Sequence, residues 1–223
     1  MTAATATAPL DLRDVHHAYG GVEVLHGIDL VLKPGEVTAL LGPSGSGKTT
    51  LLAVAGGLLR PTSGRVRVLG EDIAGLRLDR VARRVAFVLQ AGSLIPYLTV
   101  EENLLARRVV AGYKITRADR ARAAGLLAAV DLAAKARRHP DRLSGGERQR
   151  ACVAQALYTG APVLLADEPT ASLDRVRGRA VMRLLAEHAR ETGASVLVAT
   201  HDERALDLVD RTLTIEDGRL LPP

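Results

Sequence analysis

The sequence Gly42-Pro43-Ser44-Gly45-Ser46-Gly47-Lys48-Thr49-Thr50 separates two apolar runs in a chain of 223 residues. Residues 37–41 precede it and read as a buried strand, and residues 51–55 follow it and read as a helix. A G-x-x-x-x-G-K-[ST] sequence between a strand and a helix is the pattern of a phosphate-binding P-loop. The stretch therefore predicts that the chain binds a nucleoside triphosphate.

The residue types of this loop each suit phosphate binding. We expect Gly42, Gly45 and Gly47 to keep a concave backbone path free of Cβ atoms, so that successive N–H groups face phosphate oxygens. The following helix adds its positive end. Lys48 supplies a point charge for the outer phosphates, and the hydroxyl of Thr49 can hold Mg²⁺.

A second glycine-containing helix start follows in Leu143-Ser144-Gly145-Gly146-Glu147. The spacing of Ser144 and Glu147 is that of a capping box, which alone predicts only a well-capped helix. Capping does not require Gly145 and Gly146, and two glycines in a first turn lower helix propensity. Because glycine permits close backbone approach, we interpret this helix start as a second anion site.

Two adjacent acids and one histidine follow predicted central strands. Residues 163–166 are apolar and end in Asp167 and Glu168. Acids at the carboxyl end of a parallel strand lie at the ligand edge of an α/β sheet. Asp167 suits Mg²⁺ through water, and Glu168 suits the polarisation of a water nucleophile. Of six histidines, only His201 directly follows a predicted central strand.

Other positions leave alternatives open. Gln90 closes the apolar strand 85–89 and is either the start of a loop or a contact to the metal or the attacking water. Tyr19 is either an edge or core tyrosine or a ring stacked on a purine. Asp174 suits the N-cap of a helix running to residue 190. The single Cys152 excludes an internal disulfide, and its apolar neighbours favour a core position.

The order of the predicted elements indicates an α/β fold, a P-loop NTPase core with a mostly parallel central sheet. Residues 10–18, 22–25 and 28–32 read as an N-terminal antiparallel β layer. Residues 99–158 lose strand character, and we expect an inserted α-helical subdomain over about residues 91–158. In it, Thr99 and Glu102 form a capping box. A further capping box is predicted at residues 200–203. We expect one domain over residues 1–223, with a flexible tail at 1–9.

Composition and charge restrict the partners. No apolar run approaches the ~20 residues of a membrane span, and the first residues lack a signal-peptide pattern, so we expect a cytoplasmic protein. Residues 91–150 carry 12 Lys/Arg and 6 Asp/Glu, whereas the whole chain has a net charge of +5. This segment is either a solvated helical face or a surface for anionic lipid or an acidic partner. Aromatic residues are only 2%, which argues against nucleic acid.

Taken in this order, the motifs resemble the ATP-binding subunit of an ATP-binding cassette (ABC) transporter, over nearly the whole chain from Tyr19 to His201. Residues 143–147, the signature segment, carry the resemblance because other P-loop families lack it. The resemblance implies an ATPase that binds ATP and Mg²⁺ and energises a separate integral membrane permease. The protein would then be peripheral on the inner face of the cell membrane.

The resemblance also implies roles within one subunit. Tyr19 would stack on adenine, and Gln90 would contact Mg²⁺ and sense the membrane partner. Asp167 resembles the acid of the metal site, and Glu168 resembles the general base for hydrolysis. His201 resembles the switch histidine that contacts the γ-phosphate.

Other roles are implied between subunits. Ser144, Gly145, Gly146 and Glu147 would close on the ATP that the other subunit holds, and Asp174 lies in the loop that crosses between subunits. Two composite sites would then form in a head-to-tail homodimer, or in a pair with a homologous cassette. Arg148 stands where Gln is common in the family.

Within the family, residues 93–103 and the compact length are similar to subunits of the lipoprotein-releasing, macrolide-export and cell-division type. One alternative is therefore a regulatory ATPase that controls a membrane complex without transport. Another is a cassette ATPase that acts on DNA or ribosomes. That class is disfavoured because only 95 positions separate Lys48 from Leu143, without heptads, and the chain has one cassette.

Overall fold

The computed structural model describes residues 7–89 and 93–222. Its strands are β1 Leu10–Tyr19, β2 Val22–Leu32, β3 Val37–Leu41, β4 Ser63–Val68, β5 Glu71–Asp72, β6 Val85–Val88, β7 Val163–Asp167, β8 Ser195–Ala199, β9 Arg211–Glu216 and β10 Arg219–Leu220. Its α-helices are α1 Lys48–Ala55, α2 Leu78–Ala82, α3 Val100–Val110, α4 Arg117–Ala129, α5 Gly145–Tyr158 and α6 Arg175–Thr192. Short 3₁₀ helices cover Ala133–Lys135, Pro140–Arg142 and Glu203–Leu208.

The larger sheet has six strands in the order β10-β9-β3-β8-β7-β6. All its pairs are parallel except β10 with β9, which confirms the predicted mostly parallel sheet. Residues on both faces of β7 and β8 are buried, as expected for strands covered by helices on both sides. The carboxyl ends of β3, β8 and β7 therefore lie side by side, and the three candidate loops leave the sheet at the same edge.

The smaller sheet has the order β2-β1-β4-β5 with antiparallel pairs, as the sequence predicts. The prediction of separate strands at 22–25 and 28–32 is wrong, because β2 runs without interruption from Val22 to Leu32. Val15 pairs with Ile28 and His17 pairs with Leu25, so two residues of β2 lie opposite one residue of β1. Gly27, with φ 68°, allows this β-bulge without ending the strand.

Helix α1 lies between the two sheets and joins their cores. Its Leu51 and Leu52 belong to one apolar cluster with Leu10 of β1 and Leu165 of β7. The P-loop that precedes α1 is therefore held from both sides. Within the described residues, no helix is long and apolar enough to cross a membrane.

Helix α5 connects the helical layer to the other face of the larger sheet. Cys152 and Val153 pack in a cluster with strands of the sheet, whereas Ala151 and Tyr158 pack in a second cluster with α3 and α4. Cys152 is fully buried, as predicted, and burial raises the pKa of its thiol. Because α5 begins at the signature segment, this double packing fixes the orientation of that segment.

The segment after β8 differs from its prediction. The helix begins only at Glu203 and is a 3₁₀ helix, so Thr200 is not its N-cap. The hydroxyl of Thr200 instead accepts a hydrogen bond from the backbone N–H of Asp202 at 3.0 Å. The capping boxes predicted for Thr99 with Glu102 and for Ser144 with Glu147 are both present.

Candidate functional site

The three P-loop glycines are required for different reasons. A Cβ on Gly42 would lie 2.2 Å from the carbonyl oxygen of Ile215, so the neighbouring strand excludes a side chain there. Gly45 has open space around it but a φ of 82°, which favours glycine. Gly47 has a φ of 103°, and a Cβ at this position would lie 3.1 Å from the side chain of Leu25. The expectation of a free phosphate path therefore explains only part of the glycine pattern.

Two buried polar groups of the loop suit an anionic ligand. The ammonium of Lys48 donates to the carbonyl oxygens of Gly42 at 2.6 Å and Pro43 at 2.8 Å, which holds it at the loop. Ser46 Oγ is buried and has no hydrogen-bond partner among the described residues. An oxygen of a bound phosphate would satisfy such a hydroxyl, since buried polar groups are normally paired.

Asp167 connects the end of β7 to the P-loop helix. Its Oδ2 accepts a hydrogen bond from Thr49 Oγ1 at 2.8 Å. Burial raises the pKa of Asp167, the bond from Thr49 opposes that rise, and the charge of Glu168 adds to it. A cation beside this buried carboxylate would favour its ionised form.

Glu168 has a strained backbone and an oriented carboxylate. Its φ is 49°, a region that glutamate rarely adopts. Its backbone N–H donates to the carbonyl oxygen of Ala199 at 2.9 Å. Oε2 accepts from Thr200 Oγ1 at 3.3 Å, and Oε1 accepts from the backbone N–H of His201 at 3.2 Å. The Nδ1 atom of His201 lies 2.7 Å from Oε1, while 70% of the histidine side chain is exposed.

These groups border one cleft of about 320 Å³. The lining residues are Val24, Ser44, Gly45, Gly47, Lys48, Thr49, Thr50, Asp167, Glu168 and His201. Thr49 and Asp167 offer the hydroxyl and carboxylate oxygens that Mg²⁺ prefers. No group of three or more His, Cys, Asp or Glu side chains in the described part of the chain is arranged to hold a metal. Two protein oxygens do not fill the six positions around Mg²⁺, so further ligands would complete its shell.

Of two further predicted residues, one does not line this cleft and the other lies outside the described residues. Tyr19 does not line it; its ring contacts the ring of His17 edge-on at 4.7 Å and is 49% exposed. Its stacking on a purine stays a prediction. Gln90 lies outside the described residues.

The signature segment lies apart from the cleft, and none of its residues lines it. Ser144 accepts from the backbone N–H of Glu147 at 3.3 Å, and Glu147 accepts from the backbone N–H of Ser144 at 3.0 Å. Lys135 forms an ion pair with Glu147 and, with the bond from Ser144, lowers the pKa of Glu147 to about 2. Sequence analysis missed Lys135, because the basic connector gives no signal for a contact twelve residues away.

The two signature glycines have different environments. A Cβ on Gly146 would lie 2.9 Å from the carbonyl oxygen of Ser172, so Gly146 allows close packing on the loop that leads to Asp174. A Cβ on Gly145 would meet nothing within 4 Å, and Gly145 is exposed. Asp174 caps α6, as predicted, by accepting from the backbone N–H of Arg177 at 2.9 Å.

Known proteins are similar to this chain in sequence and in fold. A family model described as ABC transporter matches residues 25–171. The pyoverdine export ATP-binding/permease protein PvdT of Pseudomonas fluorescens (strain Pf0-1) is 47% identical over 174 residues, which cover 74% of this chain and 26% of the relative. The macrolide export ATP-binding/permease protein MacB of Brucella melitensis biotype 1 (strain 16M) is 43% identical over 174 residues, which cover 74% and 27%.

The chain thus spans about a quarter of the length of these curated relatives. A solved structure covers it more completely. The ATP-binding cassette MJ0796, described as a dimer in a post-hydrolysis state bound to ADP and Pi, is 33% identical with a TM-score of 0.87. The match covers 95% of this chain and 97% of that one. The predicted α/β fold of a P-loop NTPase is therefore confirmed.

The variant Lys135→Met tests the ion pair at the signature segment. We expect the pKa of Glu147 to rise from about 2 toward the ordinary 4.5, because the ammonium is lost. A carboxyl with a lowered pKa stabilises the fold above its unfolded pKa and loses that effect as the pH falls through the folded value. The variant should therefore be less stable than the unmodified chain above pH 4.5, and the difference should vanish near pH 2.

The measurements are the NMR titration of the Glu147 carboxyl and urea unfolding at several pH values. Lys33→Met is the matched control, because Lys33 is exposed and lies 3.9 Å from Glu36. An unchanged pKa of Glu147 in Lys135→Met would show that the ion pair does not hold the carboxylate.

Proposed function

The chain belongs to the ABC transporter family, and we propose that it binds ATP with Mg²⁺ and hydrolyses the terminal phosphate bond. The observation that carries this proposal is the convergence of Lys48, Thr49, Asp167, Glu168 and His201 on one cleft. Support also comes from the related cassette MJ0796, which is described as bound to ADP and Pi.

In the proposed mechanism, the P-loop holds the phosphates. The backbone N–H groups at the start of α1 and the hydroxyl of Ser46 donate to phosphate oxygens. Lys48 reaches the outer phosphates when its ammonium leaves one of its two loop carbonyls. Thr49 and Asp167 would hold Mg²⁺, which when bound would neutralise charge on the phosphate oxygens. In this proposal Tyr19 would stack on the adenine ring, and Gln90 would contact Mg²⁺.

Glu168 acts in this proposal as the general base. Its carboxylate accepts a proton from the water that attacks the terminal phosphorus. The bonds from Thr200 and His201 fix the direction of the carboxylate, so little reorganisation is needed at the moment of proton transfer. The exposed imidazole of His201 lines the cleft, and there it would contact the terminal phosphate.

We further propose that the active form is a head-to-tail dimer. Ser144 and Gly145 are exposed and do not line the cleft of their own chain. Gly145 has open space where a ligand of a second chain could approach the helix start. The description of MJ0796 as a dimer supports this arrangement. Each ATP would then lie between the P-loop of one chain and the signature segment of the other.

The partner in the membrane is proposed to be a permease on a separate chain. The two curated relatives combine ATP-binding and permease parts in one protein, so they support a permease as the partner, and its position on a separate chain is what the experiment below tests. Both curated relatives are named as ATP-binding/permease proteins for export, which favours an exporting partner. Affinity purification from detergent-solubilised membranes should retain an integral membrane protein. Recovery of the chain alone in repeated preparations would contradict this.

The variant Glu168→Gln tests the catalytic assignment. Removal of the base should lower kcat for ATP hydrolysis by about 100-fold or more, while the affinity for ATP remains. Because hydrolysis would no longer reopen the dimer, ATP and Mg²⁺ should produce a dimer in size-exclusion chromatography. Glu187→Gln, which changes an exposed glutamate of α6, is the matched control and should hydrolyse ATP normally. Normal turnover in Glu168→Gln would contradict the assignment.

A further inference from the structure

The positive charge of the chain is concentrated at one corner of the helical layer. We call residues 106–122, the end of α3, the connecting loop and the first part of α4, the α3–α4 corner. It contains six basic residues and one acid, a balance of +5 that equals the net charge of the whole chain. The basic residues are Arg107, Arg108, Lys114, Arg117, Arg120 and Arg122. The rest of the chain is therefore neutral on balance.

The same corner exposes apolar side chains. Val109 is 58% exposed, Val110 is 86% exposed and Tyr113 is 56% exposed. The guanidinium of Arg108 lies over the ring of Tyr113 at 5.1 Å. Exposed aliphatic side chains and a tyrosine surrounded by Lys and Arg are typical of protein surfaces that enter the headgroup region of a membrane.

A cavity of about 240 Å³ adjoins these side chains. Four arginines line it: Arg83, Arg107, Arg108 and Arg122. Asp119 is the one acid in its lining. It already accepts hydrogen bonds from the backbone N–H of Thr116 and from the hydroxyl of Tyr158 at 3.2 Å, and it forms an ion pair with Arg108 at 3.0 Å. The cavity thus has an excess of guanidinium groups, which are well suited to phosphate oxygens.

Two of these arginines, Arg83 and Arg107, line the same cavity and repel each other. Burial and the charge of Arg83 lower the pKa of Arg107. Arg107 donates to the carbonyl oxygen of Ala82. The side chain of Arg83 forms no hydrogen bond or ion pair with the described residues, and its charge contributes to lowering the pKa of Asp79. Contacts with helix ends explain part of this positive charge. Arg122 donates to the carbonyl oxygen of Leu157, near the end of α5, at 3.5 Å. Arg83 stands at the C-cap of α2, where a positive charge is also favourable, but Asp119 is the one carboxylate in the cavity lining that could balance it.

We propose that the α3–α4 corner binds the surface of an anionic phospholipid bilayer. A headgroup phosphate would occupy the arginine cavity, and Val110 and Tyr113 would lie among the headgroups. Nucleic acid fits less well, because Tyr113 is the only exposed aromatic ring at the corner, and stacking on a strand requires a series of rings. This inference does not depend on ATP hydrolysis, so its failure would leave the proposed ATPase function untouched.

Co-sedimentation with vesicles tests the proposal. The purified chain should bind phosphatidylglycerol/phosphatidylcholine vesicles and should not bind phosphatidylcholine vesicles. The double variant R83Q/R107Q should bind roughly 10- to 30-fold more weakly, since each basic residue near the surface contributes about 1 kcal/mol. The matched control R65Q/R67Q removes the same charge from two exposed positions of β4 and should bind nearly as well as the unmodified chain.

Several outcomes would overturn the proposal. They are no binding to anionic vesicles, equal binding to neutral vesicles, and an equal loss in both double variants. Tighter binding to duplex DNA than to anionic vesicles at the same salt concentration would also contradict it. Stabilisation of the chain by inorganic phosphate that R83Q/R107Q abolishes, without any vesicle binding, would assign the cavity to a free anion instead.

A fluorescence experiment keeps the proposal testable if R83Q/R107Q does not fold. The chain contains no tryptophan, so Tyr113→Trp creates a single reporter at the corner. Its emission should shift to shorter wavelength with anionic vesicles, because the ring would leave water. Tyr97→Trp is the matched control, since Tyr97 is 77% exposed and lies outside the corner. No shift at residue 113, or an equal shift at both positions, would contradict insertion.

Discussion

The hydrogen bond of 2.8 Å from Thr49 to Asp167 joins two segments that are 118 residues apart in the chain. It can form only because β8 lies between β3 and β7, so that the P-loop and the acidic strand end reach the same edge of the sheet. The segment that follows β8 then lies between them and places His201 against Glu168. Strand order thus assembles the candidate site from the ends of three strands, β3, β7 and β8.

The signature segment belongs to a helix that packs on the same sheet, but none of its residues lines the cleft. One side of helix α5 packs on the sheet, and the other side packs on α3 and α4. These contacts hold its first turn in place relative to both. Gly146 packs on the carbonyl oxygen of Ser172, in the loop that follows Glu168. The loop that follows the acidic strand end is therefore in direct contact with the signature segment. In the proposed ATPase dimer, this contact would connect the site of hydrolysis to the segment that closes on the other chain.

Local sequence patterns predicted the parts of the structure that depend on local physics. The P-loop context, the capping boxes at Thr99 and Ser144, and the N-cap at Asp174 are all set within a few residues. The continuous strand β2 was mispredicted because Gly27 reads as a break, whereas the bulge depends on pairing with β1. Contacts across the fold, such as Lys135 with Glu147 or Arg83 beside Arg107, have no local signal. The exclusion of a side chain at Gly42 depends on Ile215, far along the chain.

The composite site is tested most directly by mixing two inactive variants. Lys48→Ala removes the phosphate contact of the P-loop, and Gly145→Asp places a carboxylate at the signature helix start, where the chain itself has room for a side chain. Each variant alone should be inactive. If each ATP lies between two chains, half of the dimers in an equal mixture are mixed, and each mixed dimer has one intact site. ATP hydrolysis should then recover to about a quarter of the unmodified rate. No recovery, in a mixture that does form mixed dimers, would contradict sites shared between two chains.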